Sequence, residues 1–258
     1  MCELFGVSSA QEVPIQSYLQ TFFQHSVRHP HGWGLMRYRN KQREIYKEPV
    51  CAVKSGKLEH IIQTTPAQKT AMAHIRLATV GSIKPENCHP YCGVDSTGRT
   101  WTLIHNGTIY SGNRLTPYYN TQKGDTDSER IFLYLLDEIN HAAAICGHGH
   151  HLCAKQRFTV VERLVTLLAS RNKLNLILYD GELLYVHKNM QDTLFVREIG
   201  THGLMFATVP LDDGTWQPVP MTRLAAFHDG EKVFEGTKHP HIFIPPLDSI
   251  SPMDAMHI

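Results

Sequence analysis

The sequence lacks any run approaching the roughly 20 apolar residues that a bilayer crossing needs, so it offers no membrane-spanning segment. It also lacks an excess of either charge. Lys and Arg number 25 against 24 Asp and Glu, a formal net charge of +1, which gives no electrostatic reason to expect nucleic acid or a membrane surface as partner. The start, Met1-Cys2-Glu3-Leu4-Phe5-Gly6, has neither the basic nor the apolar stretch of a secretory signal. The expected location is therefore a reducing cytoplasm, where the six cysteines (Cys2, Cys51, Cys88, Cys92, Cys146 and Cys153) stay unpaired. No repeat and no long linker divides the 258 residues, so one domain over 1–258 is expected. What is present is an ordinary globular composition, 42% apolar and 19% charged, with an unusual seventeen histidines.

Periodicity predicts a strand over 2–7. Ile15, Tyr18, Leu19, Phe22 and Phe23 fall on one helix face, with Pro14 suited to the first turn. Leu35–Tyr38, 70–75 and 100–105 read as strands, and Leu58, Ile61 and Ile62 as a short helix between the first two. Thr126-Asp127-Ser128-Glu129 is a capping box ahead of a helix through Ile131, Leu135 and Ile139. A further helix is expected over about 157–170, and 141–153, rich in Ala, Gly and His, reads as a loop between the two. Leu174–Tyr179 and Leu183–His187 flank Asp180-Gly181, a suitable pair for a type I′ hairpin turn, and short strands follow near 194–197, 204–208 and 224–228. Two central helices between sheet-forming runs argue for an α+β layered fold rather than a parallel doubly wound sheet.

Four places carry candidate chemistry. Cys2, once Met1 is removed, holds a thiol and a free amine on one residue. With reference pKa values of about 8.5 and about 8, the amine can take the thiol proton without a histidine partner. Asn106-Gly107 ends the strand from Trp101, where the Asn amide and the Gly N–H are donors of the kind an oxyanion hole needs. Arg76, followed by Thr79, could grip a carboxylate with its fork. Asp127, in the first turn of the capped helix, could meet a substrate ammonium group. Each also fits a plain structural role: a buried cysteine, an Asn-Gly turn, a surface arginine, or a carboxylate favoured by the helix dipole. Together they are the parts needed to hold an α-amino acid while attacking its side-chain carbonyl.

With Met1–Gly6, His31-Gly32-Trp33-Gly34, His74-Ile75-Arg76-Leu77-Ala78-Thr79, Asn87-Cys88-His89-Pro90-Tyr91, His105-Asn106-Gly107 and Gly124–Glu129 in this order, the chain resembles the class II glutamine amidotransferases. Residues 1–140 carry most of the likeness. The later part, with Phe206–Leu211 and Trp216, looks like the short branch that includes γ-glutamyl hydrolases of thiol metabolism. The resemblance implies a four-layer αββα sandwich of the N-terminal-nucleophile hydrolase type. It implies Cys2 as nucleophile, Asn106 and Gly107 as oxyanion hole, Arg76 and Thr79 on the substrate carboxylate and Asp127 on its amine. His89 and the glycines of His31–Gly34 would line the pocket. Val80 departs from the family, where a histidine is frequent.

The expected activity is hydrolysis of glutamine or a γ-glutamyl amide through a thioester, with no cofactor and no metal. The alternative within the class is an ammonia-supplying subunit for a separate synthase. From other classes come a Cys/His metal site, using Cys146–Cys153 with its histidines or Cys88, His89 and Cys92, and a non-catalytic partner protein on the same scaffold.

Overall fold

The structure, a computed structural model, describes residues 2–147 and 151–245. Thirteen strands and four α-helices appear among them. The strands are β1 (Glu3–Val13), β2 (Trp33–Arg39), β3 (Gln42–Glu48), β4 (Gln68–Ile75), β5 (Tyr91–Val94), β6 (Thr100–Thr108), β7 (Lys173–Tyr179), β8 (Leu184–His187), β9 (Phe195–Glu198), β10 (Gly203–Ala207), β11 (Gln217–Pro218), β12 (Ala225–His228) and β13 (Glu231–Glu235). The helices are α1 (Gln16–Gln24), α2 (Gly56–Gln63), α3 (Asp127–Cys146) and α4 (Ala154–Ala169).

The strands form two sheets, ordered β11-β9-β10-β1-β4-β2-β3 and β13-β12-β8-β7-β6-β5. Side-chain alternation sorts each strand between two cores. On β1, Phe5 and Val7 face the α1/α2 side, packing with Leu19, Phe22, Leu58 and Ile62, while Leu4 faces the second sheet. Gly6 also faces that sheet, and a Cβ there would sit 3.0 Å from Ile177 Cδ1, so its bareness lets the sheets close. On β6 and β7, Trp101, Leu103, Leu174, Leu176 and Leu178 pack under α3 and α4. Ile104 and Ile177 join Leu4, Met36, Met72 and Phe206 between the sheets. The order of layers is therefore helix, sheet, sheet, helix, the α+β sandwich expected. Among the described residues no helix is long and apolar enough to cross a membrane.

Several local expectations need correction. Residues 141–146 are helical, the end of α3, because the alanines there favour helix and Gly147 at positive φ stops it. Residues 148–150, with His148 and His150, lie outside the described residues. The capping box is half formed. Thr126 Oγ1 accepts the Glu129 N–H at 3.2 Å, but the Glu129 carboxylate accepts from Lys123 and Gly124 instead of the cap residue. The helix placed at 157–170 starts earlier, at Ala154.

The hairpin turn is not type I′. Only Gly181 of the pair has positive φ, and four residues, Asp180 to Leu183, separate the paired ends Tyr179 and Leu184. Asp180 turns inward, 0% exposed, and accepts from Glu182 N, Leu183 N, Tyr185 OH and Arg157 Nε at 2.7–2.9 Å. Arg157 is buried with it, so Arg157→Met removes the nearer countercharge of the carboxylate and leaves Arg99, 3.8 Å from Oδ1. A loss near the low end for a broken buried pair, about 3 kcal/mol, is expected because three other donors remain. It should appear as a fall in Tm of roughly 6–12 °C in a thermal scan.

Candidate active site

The alternation that builds the cores also delivers side chains to one end of the space between the sheets. Cys2 precedes β1 and Arg76 follows β4, the neighbour of β1. In the second sheet Asn106 shares the inner face of β6 with Ile104, and Lys173 that of β7 with Ile177, while Asp127 opens α3. Cys2, Arg76, Thr79, His89, Gly107 and Asp127 all line one small cleft, with His74, His105 and Ser128. Its volume is about 20 Å³, room for little more than a water. Asn106 adjoins this lining through Gly107.

The Cys2 thiol donates to Leu77 O at 3.5 Å. Burial pushes its pKa up, opposed by a hydrogen bond from the Leu77 backbone and by the charges of Lys173 and Arg76. The thiol is thus protonated at neutral pH and needs a base to become a nucleophile.

Arg76 is buried, and its terminal nitrogens donate to Ser82 O at 2.9 Å, Val80 O at 2.9 Å and Gly81 O at 3.1 Å. Among the described residues no carboxylate forms an ion pair with it. The loop is itself tied down, since Asp125 accepts from Ser82 N at 3.1 Å, Ser82 Oγ at 2.9 Å and Asn87 Nδ2. Val80 contributes its carbonyl to this cradle, acting here through its backbone. Thr79 is exposed at the cleft's rim. Asp127 is buried, with Oδ2 accepting Ile109 N–H at 2.7 Å and Oδ1 accepting Ser128 N–H at 2.8 Å. Among the described residues it too has no ion-pair partner. One buried cation and one buried anion therefore border the same small space, each held by backbone dipoles.

Three histidines form the wall. His74 and His89 are in contact with ring centroids 4.0 Å apart and planes tilted by 43°, and His89 Nδ1 accepts the His105 N–H at 3.2 Å, which fixes its tautomer. His105 Nδ1 meets Ser128 Oγ at 2.9 Å. Burial lowers all three pKa values, His74 to about 3, so the wall is neutral. Gly34 of the His31–Gly34 run does not line the cleft. A Cβ there would fall 1.8 Å from His89 O, so it lets β2 press against the segment carrying His89. His31 Nδ1 accepts the Ala78 N–H at 2.9 Å and anchors the loop after Arg76.

Lys173 is the residue that sequence reasoning missed. It is 4% exposed, and Nζ donates to Asn106 Oδ1 at 3.2 Å. The available signal was a lysine opening the apolar run Lys173–Tyr179 in phase with inward-facing Asn175 and Ile177. As for metals, among the described residues no three His, Cys, Asp or Glu side chains cluster suitably. Cys88 Sγ donates to Lys84 O and Cys92 Sγ to Thr102 Oγ1, two separate environments.

The chain is 26% identical over 269 residues to an uncharacterised protein of Methanocaldococcus jannaschii, spanning 92% of this chain and 72% of that one. It is 32% identical over 143 residues to YafJ of Escherichia coli (strain K12), provisionally named a glutamine amidotransferase, covering 54% of this chain and 55% of YafJ. Among solved structures, the glutamine phosphoribosylpyrophosphate amidotransferase of B. subtilis superposes with a TM-score of 0.65 at 18% identity. That match covers 93% of this chain but 50% of that one, so the likeness is of fold, and this chain spans about half the other's length. The family model for class-II glutamine amidotransferases matches residues 1–204. By that match the chain belongs to the class-II glutamine amidotransferases.

Proposed function

We propose that the chain cleaves the side-chain amide of glutamine or of a γ-glutamyl compound, with Cys2 as nucleophile. The observation that carries this reading is the pairing of Arg76 and Asp127, two buried opposite charges without ion-pair partners among the described residues, around the cleft that Cys2 lines. An α-amino acid is the ligand with a carboxylate for the one and an ammonium for the other. Its side chain then runs toward the Cys2 sulfur. Binding trades the carbonyl contacts of Arg76 for the substrate carboxylate, so the 77–82 loop must shift to admit a molecule larger than the space now holds.

The sulfur adds to the γ-carbonyl while the amine of Cys2, unmasked by loss of Met1, takes the thiol proton. The oxyanion forms against Asn106 Nδ2 and Gly107 N–H. The amine returns its proton to the departing nitrogen, ammonia or an amine leaves, and a γ-glutamyl thioester remains. Water adds to the thioester, the thiol departs, and glutamate is released. The test is to incubate Met1-free protein with glutamine and a panel of γ-glutamyl amides and measure glutamate. No release from any of them sinks the reading.

Asp127→Asn probes the ammonium site separately. The amide oxygen can still accept from Ile109, at the cost of the Ser128 contact, and the charge is gone. KM should rise about tenfold to a hundredfold, the value of one charged hydrogen bond, with kcat changing far less. Initial-rate kinetics on glutamine check it.

A further inference from the structure

We propose that Lys173 is a positioning residue for the amide-cleaving reaction, holding the carboxamide oxygen of Asn106 so that the amide nitrogen is fixed as the donor to the oxyanion. The inference rests on the reading of Cys2 and Asn106 given above. A carboxamide is nearly symmetric in shape, and whether it presents oxygen or nitrogen to a cavity is decided by its neighbours. A lysine head carries donors only, so it can meet Asn106 solely through Oδ1, which it does at 3.2 Å. Asn106 Nδ2 is then directed elsewhere. It is buried and meets no acceptor among the described residues, which leaves a donor to serve charge that develops later.

The register explains how the lysine gets there. β6 and β7 pair Asn106 with Asn175 and Thr108 with Lys173, so Lys173 and Asn106 are diagonal neighbours on the inner face. The pairing is close because Gly107 carries no side chain, and a Cβ there would fall 2.0 Å from Lys173 O. Asn175, the residue directly opposite, cannot substitute, since its own amide is engaged by Thr193 and Asn189. Lys188, the other deeply buried lysine, shows what a structural role looks like: Nζ donates to the backbone carbonyl of Leu194 and lies 5.5 Å from the Phe195 ring. Lys173 instead points at a side chain of the site, and burial lowers its pKa to about 8, opposed by its proximity to the Cys2 sulfur.

The experiment compares Lys173→Met, Lys173→Arg, Asn106→Ala and the Asn106→Ala/Lys173→Met double variant on glutamine, with Cys2→Ala as control. Lys173→Met should lower kcat by up to about a hundredfold, with KM within about threefold, because the oxyanion donor is misdirected rather than the substrate released. Lys173→Arg, again donor-only, should recover part of the loss. The double variant should be no slower than Asn106→Ala alone, within about threefold, since a lysine that works through Asn106 has nothing left to orient. Lys173→Gln serves if the methionine variant does not fold. Its amide can accept as well as donate, so the orientation is lost and kcat falls. A kcat of Lys173→Met or Lys173→Gln within about twofold of wild type overturns the proposal, as does a double variant showing the full product of the single effects. An active Cys2→Ala overturns the nucleophile assignment itself, whereas an inactive Cys2→Ala beside a fully active Lys173→Met removes only the role of the lysine.

Discussion

Cys2→Ala is expected to reduce glutamate release from glutamine by at least about 10⁴-fold, the scale on which enzymes lose a covalent nucleophile. The drop is this large because no other step can replace the missing thioester: Arg76 and Asp127 only hold the substrate, and the neighbouring histidines are buried and neutral. The fold should scarcely notice. Among the described residues the sulfur makes one long hydrogen bond, 3.5 Å to Leu77 O, and its loss falls within the roughly 0.5 kcal/mol typical of lightly engaged positions. Melting temperature and glutamate release measured on the same preparation separate the two effects. Intact mass must accompany them, because a chain that keeps Met1 has a peptide nitrogen at Cys2 and no base for a thiol whose pKa burial has raised. Substantial turnover by the alanine variant would place the nucleophile elsewhere.

Asn106→Ala is expected to lower kcat by about 10²- to 10³-fold, the usual consequence of removing one oxyanion donor. Its Nδ2 is buried without an acceptor among the described residues, a condition that costs about 1–3 kcal/mol in a resting protein. Deleting it removes that penalty and the bond from Lys173 together, so stability should change little while the barrier rises. KM should stay close to wild type, because the amide is asked to bind charge that exists only after the sulfur has added. Steady-state kinetics with a urea titration on the same variant make the comparison. A variant that loses stability and activity in proportion would mean that Asn106 is part of the core alone.

Much of this was legible in the sequence where one face of an element is buried and the other is not. The apolar stripe of α1, the cap of α3 and the runs that became β6 and β7 all announce themselves. Strands β3 and β13 did not, since Gln42–Glu48 and Glu231–Glu235 form sheet edges with little buried area and so little periodic signal. The inward turn of Asp180 depends on Arg157, a helix residue more than a turn's length away in sequence, and local turn chemistry cannot contain it. The same holds at the cleft. Cys2, Arg76, Thr79, His89, Gly107 and Asp127 stood out by type and order, whereas Lys173 acquires meaning only from the β6–β7 register.

The strand that follows Cys2 is an interior member of its sheet, paired with β4 on one side and β10 on the other. Its two partners lie far apart along the chain, Ala73 about 70 and Ala207 about 200 residues beyond Phe5, so at the ~5–20 residues per second of a ribosome the second follows the first by roughly seven to twenty-seven seconds. Until the second partner arrives, one edge of β1 stays open. The β10 flank of the strand next to Cys2 is therefore closed only after most of the chain has been made.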